Sequence, residues 1–106
     1  MAVYELKNEA IAVQINSCGA ELRSLKKLDT NVEYMWQADP KYWGRTSPIL
    51  FPFVGGLKNG TYRIGEKTYP MTKHGFCRDR EFEVISQTER EIWFQLKSTE
   101  DTLKIY

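Results

Sequence analysis

The residues best equipped for chemistry lie together in one short stretch. HGFCRDREF, residues 74 to 82, holds the chain's only histidine, His74, beside Cys77, two arginines and two carboxylates. An imidazole can both donate and accept a proton near neutral pH. Gly75 lets backbone come close to a ligand, Phe76 offers an apolar face and Arg78 a fork of donors. That mixture suits a sugar ring, whose C–H faces lie against aromatic carbon while its hydroxyls take hydrogen bonds. The competing reading, and the commoner one for a lone histidine, is a structural residue held by hydrogen bonds.

Other chemistries fit the residues less well. His74 and Cys77 are three apart, which on an extended chain sets their side chains on opposite faces and speaks against an activated thiol. One histidine and two scattered cysteines, Cys18 and Cys77, cannot assemble the four nitrogen or sulfur ligands of a usual zinc site, so no metal is expected. Their spacing also matches neither a disulfide framework nor a Cys-x-x-Cys motif, and both are expected as free thiols. GTYRIGEKT, residues 60 to 68, lacks the adjacent Gly-Lys of a phosphate-binding loop and reads as a hairpin. Asn59-Gly60-Thr61 has the form of a glycosylation site, but its Asn-Gly pair is already explained by a turn.

The totals narrow the classes. Lys and Arg number 15 against 14 Asp and Glu, a formal charge of +1, too small for the positive field that phosphate backbones attract. Nucleic acid is therefore not expected as a partner. No run approaches the ~18 consecutive apolar residues of a membrane span. The opening MAVYELKNEA has Glu5 and no apolar core like that of a secretory signal, so a cytoplasmic location is expected.

Positioning these residues falls to short strands. Ile11, Val13 and Ile15 alternate with Ala12 and Gln14, the period of a half-buried strand. Asn16 to Gly19 supplies a turn. Leu22, Leu25 and Leu28 recur at a spacing that suits a helix, yet the segment is short and flanked by turn residues, which favours a strand with a bulge. Tyr34 and Trp36 predict a further strand, and Asp39-Pro40 predicts one helical turn over about residues 40 to 44. Pro48 and Pro52 make SPILFPFVGG an irregular edge or loop. Asn59-Gly60 and Gly65-Glu66 predict turns of types I′ and II′, the second closing a hairpin of residues 61 to 64 with 67 to 70. Residues 82 to 87 and 91 to 98 look extended, Ser98 to Thr102 reads as a connection, and Leu103 to Tyr106 as the start of another strand. The pattern is all-β, a sandwich or barrel.

Several of these stretches, in order, carry a resemblance. Arg45-Thr46-Ser47-Pro48-Ile49-Leu50-Phe51-Pro52-Phe53-Val54-Gly55, Leu57-Lys58-Asn59-Gly60 and His74-Gly75-Phe76-Cys77-Arg78-Asp79 resemble the aldose 1-epimerase (galactose mutarotase-like) family, in its LacX-type branch. Gly19 to Leu25 and Tyr34-Met35-Trp36 resemble its N-terminal strands. The resemblance implies a large β-sandwich, or supersandwich, and interconversion of the α and β anomers of an aldose without metal or organic cofactor. One group protonates the ring oxygen while another takes the anomeric hydroxyl proton, so that the ring opens and recloses on the other face. The family's acid histidine and base glutamate are expected downstream of Tyr106.

By the same resemblance, His74 and Arg45 line the sugar site and Arg78 flanks it, with an ion pair to Asp79 or Glu81 as its alternative role. Phe53, Trp43 and Phe76 are candidates to face the ring or to pack in the core. Gly56 stands where many relatives carry a basic residue. Residues 1 to 106 are expected to be a truncated, N-terminal part of a single domain, inactive alone, binding a small-molecule sugar and able to self-associate through open strand edges. A non-catalytic carbohydrate-binding or regulatory module is the alternative.

Overall fold

A computed structural model describes residues 1 to 106. Strands β1 (Val3–Lys7), β2 (Ile11–Asn16), β3 (Glu21–Lys27) and β4 (Val32–Glu33) form an antiparallel sheet in that order. Two antiparallel hairpins follow, β5 (Thr61–Ile64) with β6 (Lys67–Pro70) and β7 (Glu83–Gln87) with β8 (Ile92–Gln95).

Register explains the ambiguous leucine spacing. Ile15 pairs with Tyr4 and Leu22, and Val13 pairs with Leu6 and Leu25, so apolar residues form cross-strand rows on one face. The register shifts opposite Gln14 and Ile15, leaving Arg23 as the extra residue of a bulge. One inserted residue converts a spacing of two into three. The face is joined by the second hairpin, whose Phe94 meets Tyr4 edge-on at 5.7 Å. The β7–β8 pair also shifts register, at Ile85.

The expected Gly65-Glu66 turn is present, with Gly65 at φ +60° and a tight link between Ile64 and Lys67. Asn59 and Gly60 both adopt positive φ and Thr61 N–H donates to Lys58 O across them, as the expected type I′ turn leading into β5 requires. Three expectations need correction. The strand over Tyr34 to Trp36 is absent, because pairing ends at Glu33 and only the Tyr34 N–H continues it, to Leu25 O. The turn at residues 40 to 44 is hydrogen-bonded, with Trp43 N–H donating to Asp39 O, yet forms no helix.

The third correction is at the end of the chain. The helix, α1 (Glu100–Leu103), stands where a connection and a strand start were expected. Thr99 and Thr102 make a reciprocal capping box, and Glu100 and Asp101 lie in the first turn, where carboxylates suit the exposed N–H groups. β1, by contrast, was not foreseen: Val3, Glu5 and Lys7 are exposed and only Tyr4 and Leu6 turn inward.

The core is small. Met71, Phe76 and Cys77 are buried together, with Phe53, Leu57, Tyr62, Phe82, Leu96 and Ile105 packed around them. The radius of gyration is 16.6 Å, against roughly 13 Å for a compact domain of about 100 residues. An apolar hollow of about 510 Å³, lined by Phe51, Phe76, Phe82, Leu96, Leu103 and Tyr106 among others, stays open. No helix is long and apolar enough to cross a membrane.

Candidate functional site

The two motif stretches around His74 and Phe51 are stitched to each other. His74 N–H donates to Gly55 O at 2.9 Å, and Gly55 N–H donates back to His74 Nδ1 at 2.8 Å. Phe76 and Cys77 N–H both donate to Phe51 O, at 3.1 and 3.2 Å. His74 and Gly75 both take left-handed backbone, φ +64° and +77°, so residues 72 to 77 turn rather than extend. A Cβ on Gly75 would lie 2.5 Å from the carbonyl carbon of Phe51 and 2.6 Å from Pro52 Cδ. Only glycine permits that approach.

The clip fixes the imidazole. Because Nδ1 accepts from Gly55, Nε2 carries the proton of the neutral ring and is the donor left for a ligand. His74, half-buried, lines a cleft of about 270 Å³ with Trp43, Pro48, Leu50, Lys73 and Arg78. That volume is close to the ~300 Å³ lower end for small-molecule sites. Trp43 is brought there by the Asp39 turn and held by Trp36 Nε1–H, which donates to Trp43 O at 2.7 Å. An aromatic face, an imidazole donor and two cationic side chains thus share one hollow.

Arg45 is placed differently. Its guanidinium donates to Arg78 O at 3.1 Å and to the Asp79 carboxylate, with which it pairs, and it is not among the residues lining the cleft. It holds the segment that carries Arg78. The same segment is held from the other side by Gly19, whose N–H donates to Arg80 O at 2.7 Å and whose Cα has no room for a Cβ beside Arg78 O, 2.6 Å away. Arg78 Nε lies 4.0 Å from Asp79 Oδ2 and is buried without a hydrogen-bond partner. Phe76 and Phe53 sit in the core cluster, Phe53 with its ring 5.0 Å from that of Tyr62 and Phe76 with its ring 6.3 Å from that of Tyr106. Gly56 lies beside Lys73.

Two contributors escaped the sequence reading. Glu21, 2% exposed, accepts from Thr46 and Ser47 N–H at 2.7 and 3.0 Å and has Arg23 and Arg45 each 3.9 Å away. This buried carboxylate anchors the start of the irregular segment and sits beside Arg45. Its hint was a carboxylate directly after a turn, in a strand whose other residues are, Ser24 apart, aliphatic or basic. Lys73 was also missed, since a lysine next to a hairpin strand reads as solvated; the left-handed turn brings it to the cleft. Cys77 is turned into the core, and burial pushes its thiol up, with Arg80 partly offsetting this. No carboxylate lines the cleft.

Known proteins resemble this chain in sequence and in fold. The chain is 40% identical to protein LacX, plasmid, and 39% identical to protein LacX, chromosomal, both of Lactococcus lactis subsp. lactis, covering 96% of this chain and 36% of each relative. A galactose mutarotase related enzyme from Lactobacillus acidophilus superposes with a TM-score of 0.97 at 47% identity, covering 99% of this chain and 35% of that one. A galactose mutarotase-like protein from Lactobacillus casei gives 0.94 at 39% identity, covering 97% and 35%. The chain thus spans about a third of the length of these relatives and has their galactose mutarotase-like fold over that part. The family model for aldose 1-epimerase matches residues 2 to 106, and the chain belongs to the aldose 1-epimerase family.

Proposed function

We propose that this chain supplies the sugar-binding part of a mutarotase-like isomerase, with His74 and Arg78 as donors to an aldose and Trp43 as a wall for its ring. The observation that carries the reading is the Gly55–His74 clip, which orients one imidazole donor within a small cleft beside an aromatic side chain. Arg45 positions Arg78 through the Arg78 carbonyl and Asp79. Phe53 and Phe76 support the loop from the core.

Anomer exchange needs an acid and a base on either side of the ring oxygen and anomeric hydroxyl. Using His74 Nδ1 as a proton acceptor would require giving up the Gly55 bond, so His74 is assigned to binding. We assign proton transfer to chain beyond Tyr106 of a longer parent protein, and the open apolar hollow to contact with it. The lack of a carboxylate along the cleft favours one second reading, a carbohydrate-binding module without catalysis.

Polarimetry of freshly dissolved galactose with a parent-length form separates these, because turnover there is expected on the first reading alone. The 106-residue chain is expected to leave the rate at that of buffer, and turnover at an enzymatic rate would overturn the assignment of proton transfer. In a parent-length form, His74→Asn retains an acceptor for Gly55 and a residue that tolerates left-handed backbone but removes the Nε2 donor. Its specificity constant is expected to fall on the order of 10²-fold, the scale for a positioned polar group. An unchanged constant would exclude His74 from the site.

A further inference from the structure

His74 holds a left-handed backbone, φ +64°, which is strained for a residue with a Cβ and persists only where its surroundings over-determine it. The backbone bonds between residues 51 to 55 and 74 to 77 supply part of that constraint, but each can be exchanged for a bond to water. A ring supplies more. Tyr106 packs edge-on against Phe51 and Phe53, with ring centroids 5.7 and 6.5 Å away, and against Phe76, 6.3 Å away. It therefore meets both stretches of the clip, and no other aromatic ring pairs with both.

The place of Tyr106 is fixed independently of the cleft, which it does not line. Thr99 and Thr102 cap α1, Ile105 and Tyr106 N–H donate to Thr102 O at 3.1 and 2.8 Å, and Tyr62 O–H in β5 donates to Ile105 O. Resting on the reading of His74 as a donor to a sugar, we propose that Tyr106 is a positioning residue for this imidazole, a wedge that holds residues 51 to 55 against residues 74 to 77 so that Gly55 N–H stays on Nδ1. Interlocked rings resist sliding, because a displaced ring loses its contacts together. Phe51, Phe76 and Tyr106 all border the open apolar hollow, so without the Tyr106 ring the two phenylalanines have room to shift into it. The loop then exchanges between clipped and open forms, and Nε2–H loses its fixed direction.

Amide exchange and nitrogen-15 NMR of the 106-residue chain test this in Tyr106→Ala and Tyr106→Phe. Tyr106 is 55% exposed, so both variants are expected to fold, and Tyr106→Leu, which keeps apolar bulk without a ring, takes the place of alanine if it does not. In Tyr106→Ala the Gly55, Phe76 and Cys77 amides should exchange about tenfold faster, the scale of one or two edge-on ring contacts, while amides of β2 keep their protection. The His74 Nδ1 signal should move, galactose affinity measured by calorimetry should fall by a similar factor, and Tyr106→Phe should restore all three. An unmoved Gly55 amide and Nδ1 signal, or an equal loss of protection in β2, would overturn the inference and leave the sugar site standing. Local loosening of the clip in a protein that binds no galactose before substitution would leave Tyr106 as the wedge and overturn the sugar reading.

Discussion

Replacing Gly75 by alanine strikes the contact on which the His74 loop depends. Gly75 stands at φ +77°, and its new Cβ would be 2.5 Å from the Phe51 carbonyl carbon and 2.6 Å from Pro52 Cδ. The left-handed conformation alone costs an L-residue roughly 1–2 kcal/mol. Relieving the clash also requires the two stretches to separate, which weakens the bonds from Phe76 and Cys77 to Phe51 and the reciprocal His74–Gly55 pair. At ~1 kcal/mol each, loss of two or three of these brings the total to about 3–5 kcal/mol. Gly65→Ala is the control, since Gly65 has φ +60° but nothing within 4 Å of a Cβ, and only the conformational cost of roughly 1–2 kcal/mol applies. Urea unfolding followed by tryptophan fluorescence measures both. The variants should differ by about 2–3 kcal/mol, or a midpoint difference of ~1–2 M. Equal losses would mean that close approach to Phe51 does not hold the loop.

Glu21→Ala leaves the Thr46 and Ser47 N–H groups and two arginines without their carboxylate, and should destabilise by about 3–5 kcal/mol in the same unfolding assay; a loss below ~1 kcal/mol would deny Glu21 its anchoring role. Burial and a raised thiol should keep Cys77 unmodified by iodoacetamide in native protein at pH 8 while the half-buried Cys18 reacts, as peptide mass mapping would show; equal labelling would contradict that packing. Burial tends to raise the Glu33 carboxyl, but hydrogen bonds from Ser24, Leu25, Met35 and Tyr34 outweigh it and hold the group low. A lowered folded-state value means that the contribution is present above the unfolded value of about 4.3 and is lost as pH falls through the lower folded one. The Leu25 amide should therefore lose protection, relative to its intrinsic exchange rate, only on acidification below that range, and loss of protection on raising the pH would have the wrong sign.

Alternation was readable where three aliphatics carried it. Ile11, Val13 and Ile15 announced β2, whereas Val3 to Lys7 concealed β1, because only Tyr4 and Leu6 turn inward there and the apolar Val3 is exposed. The leucines of β3 mimicked a helix through one bulge residue, Arg23, which turn context could outweigh but spacing alone could not. At the other end, polarity hid a helix. Thr99 to Thr102 looks like loop because the capping bonds that make it helical run between side-chain hydroxyls and backbone. His74 and Arg78 could be picked from their residue types, but their shared cleft with Lys73 depends on two consecutive left-handed residues. That conformation is natural for Gly75 and unexpected for His74. Arg45 was expected, from the resemblance alone, to line the sugar site, whereas its use of Asp79 and the Arg78 carbonyl is set by a long-range approach that spacing does not encode.

A single histidine gives one set of imidazole signals, so nitrogen-15 NMR can watch His74 without assignment ambiguity while an aldose is titrated. The expected result is a protonated Nε2 whose signal moves with sugar while Nδ1 stays an acceptor from Gly55. Imidazole signals indifferent to saturating sugar, or a ring with its proton on Nδ1, would contradict a pyranose site built around this clip.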